Sequence, residues 1–318
     1  MKRTKLLALL LILALALTLC SCGIDREAGS PASPASSQAA EPADAADTLT
    51  LTDMAGREHT IALPVERIVA LAAADCEIVC ALGAGDKLVG RGEYCDRPEE
   101  VLSVPSVESG YEMNIEQVLA LQPQVLIMPI MNQSIEQVER LDAAGICLVI
   151  SDAQDIEDTY TSIDMIGRIV GKEAEASSLI ESMKADFAEL AEMSDDAGKT
   201  VYFEVSPLQW GLWAAGSGTF MNEVAENLGL TNIFADVEGW AAVSEEEVLA
   251  RNPDYIVTVT MSSGEGDDPI EEILSRPGWD SVSAVQNKAI LNLTDDSLTR
   301  PTPRLTDGAR ALFDFVNK

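Results

Sequence analysis

Histidine is almost missing from this 318-residue chain: His59 is its sole representative. It falls in a hairpin pattern near the start of the folded region, and no Ser-His or Cys-His catalytic pair is expected from it. Cationic side chains are scarce as well. Lys and Arg total 21 against 53 Asp and Glu, a formal net charge of -32. A surface this acidic repels nucleic acid and other polyanions, and it excludes electrostatic binding to anionic lipid headgroups. No spacing among the many carboxylates singles out an acid-base pair. A complete phosphate loop is also lacking: Gly216-Ser217-Gly218-Thr219 could offer backbone N–H groups to an anion, but without the rest of that pattern it reads as a helix start. No catalytic residue and no cofactor of the protein's own is expected. Aromatics are only 5% of residues, so where they fall is informative.

The longest apolar run, Leu6 to Leu19, is too short for a resident membrane helix and follows Lys2, Arg3 and Lys5. It reads as an export signal. The run ends in Leu19-Cys20-Ser21-Cys22-Gly23, which resembles a bacterial lipobox. Residues 1–21 are therefore expected to be a lipoprotein signal peptide and Cys22 the lipidated residue. Cys20 is the weaker choice because bulky Leu19 precedes it, and an ordinary cleaved signal is the plain alternative. Residues 22–47 are Ala, Ser, Pro and acid with nothing to bury, a disordered tether. The expected location is the extracytoplasmic face of the cell membrane, held by acyl chains alone. Cys76 and Cys80 are four apart on an apolar helix, and Cys95 and Cys147 stand elsewhere with no nearby His, so no zinc site is expected. These read as buried structural thiols, with a disulfide at Cys95 left open by export.

From Thr48 onward, a hairpin is followed by strands that alternate with helices. This pattern predicts an α/β fold in two lobes, each a mostly parallel sheet covered by helices. The first lobe is expected over 48–155, connecting helices over 156–198 and the second lobe over 199–318. The stretch Lys172 to Met193 places Ala176, Ile180, Met183, Phe187 and Leu190 on one helical stripe, roughly 33 Å long at about 1.5 Å per residue. Alike segments flank it. Asn114-Ile-Glu-Gln-Val-Leu-Ala-Leu-Gln-Pro-Gln-Val-Leu-Ile127 and Ser244-Glu-Glu-Glu-Val-Leu-Ala-Arg-Asn-Pro-Asp-Tyr-Ile-Val257 each read as a capped short helix, a Pro stop and a buried strand. The chain thus reads as two related lobes joined by one long helix.

Ligands of open α/β sheets sit beyond the carboxyl ends of the strands, so the expected site is a cleft between the lobes. The loops expected there hold Tyr94, Arg97, Tyr111 and Met131 in the first lobe and Trp210, Trp213, Trp240 and Arg300 in the second. Aromatics gathered in such loops suit a large, flat, partly apolar ligand. Asn114 with Gln117 and Ser244 with Glu247 each match a capping box, which leaves Glu116 and Glu246 without a capping duty.

Residues from Thr48 to the end resemble the cobalamin and ferric-siderophore family of substrate-binding proteins of ABC importers. The resemblance rests on Asp53-Met-Ala-Gly56, Glu66-Arg-Ile-Val-Ala-Leu71, the segment 114–127, Trp240 to Asp254 and Ser281-Val-Ser-Ala-Val-Gln-Asn-Lys288, in that order and spacing. It implies a monomer that carries a metal chelate to a permease and its ATPase, with Glu116 and Glu246 docking into arginine pockets of the permease. The chelates it implies are ferric siderophores, haem or a corrinoid such as cobalamin. It also matches Arg300 to a binding-loop position. His59 is badly placed for haem, while Tyr111 could serve iron as tyrosinate. Arg97 and Arg300 are the candidate cations for an acidic chelate, and without a third a triscatecholate is disfavoured. A ferric chelate is preferred over a corrinoid. A sensory or enzymatic surface lipoprotein on the same scaffold is the alternative.

Overall fold

The computed structural model describes residues 47–110, 113–130, 134–195, 198–259 and 268–318. The strands β1 (Thr48–Thr52) and β2 (Glu58–Ala62) form a separate antiparallel hairpin. The first lobe follows with β3 (Ile68–Ala70), α1 (Ala73–Ala81), β4 (Leu88–Gly92), β5 (Ser106–Val107), α2 (Ile115–Leu121), β6 (Val125–Met128), α3 (Ile135–Ala143) and β7 (Cys147–Ile150). Its five strands pair in the order β5-β4-β3-β6-β7, all parallel. Both β3 and β6 are apolar at every position and fully buried, as strands covered on both faces must be.

Two helices, α4 (Ile156–Val170) and α5 (Glu173–Met193), lead to the second lobe. It comprises β8 (Thr200–Ser206), β9 (Trp213–Ala215), α6 (Phe220–Asn227), β10 (Thr231–Asn232), β11 (Trp240–Ala242), α7 (Glu245–Arg251), β12 (Tyr255–Val259), α8 (Pro269–Ser275), α9 (Ser283–Gln286), β13 (Ile290–Leu293) and α10 (Leu305–Val316). The order is β11-β9-β8-β12-β13. β8, β12 and β13 run parallel, β9 runs antiparallel to both its neighbours, β8 and β11, and β10 pairs in parallel beside the amino end of β8.

The long helix is α5, and its buried residues are Ala176, Met183, Phe187 and Leu190, the predicted stripe, with Ile180 partly covered. It packs on α4 along one side and on α10 and α6 along the other, so it joins the core of one lobe to that of the next. The reversal between α4 and α5 needs Gly171, whose φ of 70° is costly for other residues. Close packing of the pair needs Gly167, because a Cβ there would stand 2.5 Å from that of Ala176.

The lobes share one construction. Gln122 and Asn252 end α2 and α7 in the left-handed conformation, with φ of 49° and 46°. After the following Pro, Gln124 Oε1 accepts from the N–H groups of Glu66 and Arg67 ahead of β3, while Asp254 Oδ2 accepts from Thr200 N–H at the start of β8. The repeated letters therefore encode a repeated tie from helix end to central strand. One cap departs from expectation. Ser244 and Glu247 complete the box, but Gln117 accepts from Glu108 N–H instead of returning to Asn114, and Ser134 with Gln137 forms a full box that was not expected.

Candidate ligand cleft

All five strands of the first sheet end at one edge, and β3 and β6 lie side by side where the chain order reverses. Beyond that point lies a cavity of about 240 Å³, lined by the segments that follow β3, β6 and β7 and by Thr299 to Pro301 after β13. Both lobes thus close on one space at the carboxyl ends of their strands.

The rim is apolar. Tyr94 after β4 is 64% exposed, Trp210 after β8 57% and Trp213, beginning β9, 42%. Ile130 after β6 and Ile135 at the start of α3 are exposed too. Single exposed apolar residues carry no message, whereas these five all follow the carboxyl ends of strands, three in the first lobe and two in the second. The sequence reading missed the two isoleucines, because an exposed Ile beside a strand end looks like any buried one.

Trp240 is corrected from a loop to the first residue of β11, half-buried against Phe220 with ring centroids 5.3 Å apart. Its Nε1 donates to Gln154 Oε1 at 3.3 Å, a contact with the segment that leaves the first lobe. Trp213 likewise begins a strand, because β9 turns back antiparallel on β8. Arg97 lines a separate cavity of about 580 Å³ with Glu77, Cys80 and Arg304. Tyr111, Met131 and Cys22 lie outside the described residues.

Arg300 lines the smaller cavity, but it is not the free cation expected. Its Nη1 donates to Glu77 Oε1 at 2.8 Å and Asp96 Oδ1 at 2.7 Å, and Nη2 lies 3.0 Å from Asp296 Oδ2. Glu77 and Asp96 belong to the first lobe, so Arg300 clasps the lobes together. Arg304 joins the clasp, donating from Nε to Glu77 Oε2 at 2.8 Å. These partners were not legible because no local spacing brings residues 77, 96 and 300 together.

Asp75, in the first turn of α1, is a residue of this space to which the sequence assigned no site role. It lines the cavity at 2% exposure, and its Oδ2 has no hydrogen-bond partner. Burial pushes its carboxyl up to about 7, the Ser151 hydroxyl pulls it down and the charge of Asp152 raises it further.

Glu116 and Glu246 stand in the first turns of α2 and α7, both exposed. Glu116 pairs with Arg140 Nη2 at 2.6 Å.

His59 corrects another expectation. Its Nε2 lies 2.9 Å from Asp53 Oδ2 and its Nδ1 3.5 Å from Cys147 Sγ, so a Cys-His contact does form across the hairpin and β7. Cys147 begins β7, at the end opposite the cavity, and burial pushes its thiol up, which keeps it protonated. Asp53 is a structural keystone, buried and accepting from the N–H groups of Ala55, Arg57 and Ile150 and from the Arg57 guanidinium. The four described cysteines are free thiols, Cys95 included. Cys76 and Cys95 both direct their sulfurs to the carbonyl of Ala70.

A sequence profile described as periplasmic binding protein matches residues 68–297. An uncharacterised ABC transporter substrate-binding lipoprotein of Bacillus subtilis, YvrC, is 34% identical over 275 residues, covering 84% of this chain and 85% of that protein. A vitamin B12-binding protein of Vibrio cholerae is 27% identical over 261 residues, covering 80% of this chain and 90% of its own. Among solved structures, that of an ABC-type Fe3+-hydroxamate transport system from Saccharomonospora viridis superposes with a TM-score of 0.71 at 26% identity, covering 85% of this chain and 99% of the other.

Proposed function

This chain belongs to the periplasmic binding protein family, and we propose that it is the extracytoplasmic lipoprotein of an ABC importer that captures a metal chelate between its lobes and delivers it to the permease. The observation that carries this reading is the cavity shared by both lobes at the carboxyl ends of their strands, with Tyr94, Ile130, Trp210 and Trp213 exposed on the segments that follow strand ends. A rim of that composition offers flat apolar faces to a bulky ligand, and the polar groups below would orient it. The vitamin B12-binding and Fe3+-hydroxamate relatives support a chelate as the ligand class. The role is binding and transfer, without catalysis.

In this reading residues 1–21 are removed, Cys22 carries the lipid and residues 22–47 give the folded part its reach. Tyr111 and Met131 remain proposed ligand contacts. Glu116 and Glu246 are the proposed docking pair. Two exposed carboxylates on separate lobes, each meeting an arginine pocket, would fix orientation as well as affinity. The test is tryptophan quenching against ferric siderophores, haemin and cyanocobalamin, followed by ATPase stimulation of the reconstituted importer. A submicromolar hit, with stimulation lost in the Glu116→Ala, Glu246→Ala double variant but binding retained, is the expected result. Stimulation at the wild-type level in that variant would end the docking assignment.

A further inference from the structure

We infer that the cleft selects chelates that are neutral or cationic and present an N–H donor, and that Asp75 is the residue that receives this donor. The inference rests on the transport reading above and narrows it to a class of ligand.

Its first support is the state of Asp75. A carboxylate oxygen buried in a cavity wall without a partner is costly, and folds supply such groups with donors. The rest of the lining is mostly apolar, with hydroxyls at Ser151, Ser162 and Thr299, the acid of Asp152 and Arg300 as its one cation. A ligand amide or ammonium group would complete the oxygen with a charge-assisted hydrogen bond. An anionic ligand would meet an acid and, beside it, the charge of Asp152.

Its second support is that the cation lining this space, Arg300, and its neighbour Arg304 are already engaged. Arg300 is held by three carboxylates, Glu77, Asp96 and Asp296, and Arg304 by Glu77 and the carbonyl of Asp295. Two guanidinium groups thus face three carboxylates before any ligand arrives. Arg91 directs Nη1 to the carbonyls of Gly92, Glu93 and Cys95, and Arg97 lines the other cavity, the Nε of each being buried without a partner. In sequence, residues 111–112, 131–133 and 260–267 contain no Lys or Arg. To bind a polyanionic chelate, the cleft would have to break the clasp that holds its lobes. The chain's formal charge of -32 acts in the same direction at longer range, slowing the approach of anions.

The experiment is a binding panel on the purified full chain in detergent, read by tryptophan quenching. One arm holds cationic ferrioxamine B, neutral ferrichrome and neutral cyanocobalamin. The other holds haemin, ferric enterobactin and ferric citrate, all anionic. The expected result is that the tightest probe comes from the first arm, about tenfold or more ahead of every anionic chelate, and that Asp75→Asn weakens it by roughly tenfold. Asp75→Asn keeps the shape of the side chain, and a thermal melt of the variant verifies that it is folded. Asp152→Asn is a second variant, expected to narrow the gap between the arms. A preference for an anionic chelate, or unchanged affinity in folded Asp75→Asn, would overturn the inference and leave the transport reading standing. Failure to bind any of the six would overturn both.

Discussion

Arg300 Nη1 lies 2.8 Å from Glu77 Oε1, an ion pair in which one residue follows the last strand of the second lobe and the other sits in the first helix of the first. Glu77 is buried, so removing Arg300 leaves its carboxylate with Arg304 as the remaining partner and little water to replace the lost one. Arg300→Ala is expected to destabilise the fold by roughly 3 kcal/mol in urea denaturation. Arg300→Lys should recover only part of that, since one ammonium cannot reproduce a fork that spans Glu77, Asp96 and Asp296. A loss below about 0.5 kcal/mol in Arg300→Ala would mean that the clasp does not hold the lobes.

Asp75 predicts an unusual pH dependence. Its carboxyl is held up at about 7 in the folded protein, chiefly by burial, whereas an unfolded aspartate ionises near pH 4. Between those values the unfolded chain has released the proton and the folded chain has not. Stability contributed at this site therefore falls as pH rises through the window, and the full cost is present above pH 7. Asp75→Asn should match the parent near pH 4 and exceed it at pH 8 by a few kcal/mol, at about 1.4 kcal/mol per pKa unit. Urea midpoints at both pH values check this. A site that weakens the fold while awaiting a ligand is what a binding carboxyl would produce.

Asp53 behaves in the opposite sense. Burial alone would raise its carboxyl, but hydrogen bonds from Arg57, His59 and Ile150 outweigh that and hold it far below the usual carboxylate range. Its contribution is present above the unfolded value near pH 4 and is lost as pH falls through the folded value. Asp53→Ala is expected to cost about 3 kcal/mol or more at pH 7, with the difference from the parent shrinking under strong acid. Parallel denaturation curves at pH 7 and pH 2 check it.

The three tryptophans of the expected cleft should separate by experiment. Trp210 and Trp213 are exposed beyond the end of β8, so if they contact the ligand as proposed, replacing either by Ala should weaken ligand binding several-fold and leave thermal stability unchanged. Trp240 packs on Phe220 and reaches Gln154, so Trp240→Ala should lower the melting temperature by several degrees as well. Equal behaviour of all three would contradict this division.

How much of this could be read from the sequence depended on the range of the signal. The stripe of α5 was legible because a helix writes its buried face every three or four residues. The twin segments at 114–127 and 244–257 were legible because cap, Pro and strand lie within fourteen letters. The two- and three-residue strands β5, β9, β10 and β11 were not, since no periodicity develops over so few residues. Nor was the diversion of Gln117 to Glu108, which exchanges one satisfied N–H for another. The exposure of Tyr94 and Trp210 was legible from their loops. The engagement of Arg300 and the approach of Cys147 to His59 were not, because tertiary folding alone brings residues 77 and 300, or 59 and 147, together.

The proposed docking pair is not symmetric, and the asymmetry can be tested. Glu116 is held by Arg140 across α2 and α3, while Glu246 makes no ion pair among the described residues. Both are exposed, so the Arg140 contact contributes well under 1 kcal/mol to the fold. In docking, however, Arg140 competes with the permease arginine for the same carboxylate. Arg140→Ala should therefore leave the melting temperature unchanged and tighten binding to the reconstituted importer by about twofold to fivefold at low ionic strength, with the gain fading as salt rises. Glu116→Ala in the Arg140→Ala background should abolish the gain. If Arg140→Ala instead weakened docking, Arg140 would itself belong to the contact surface, and the pairing with Glu116 would serve to orient the two together.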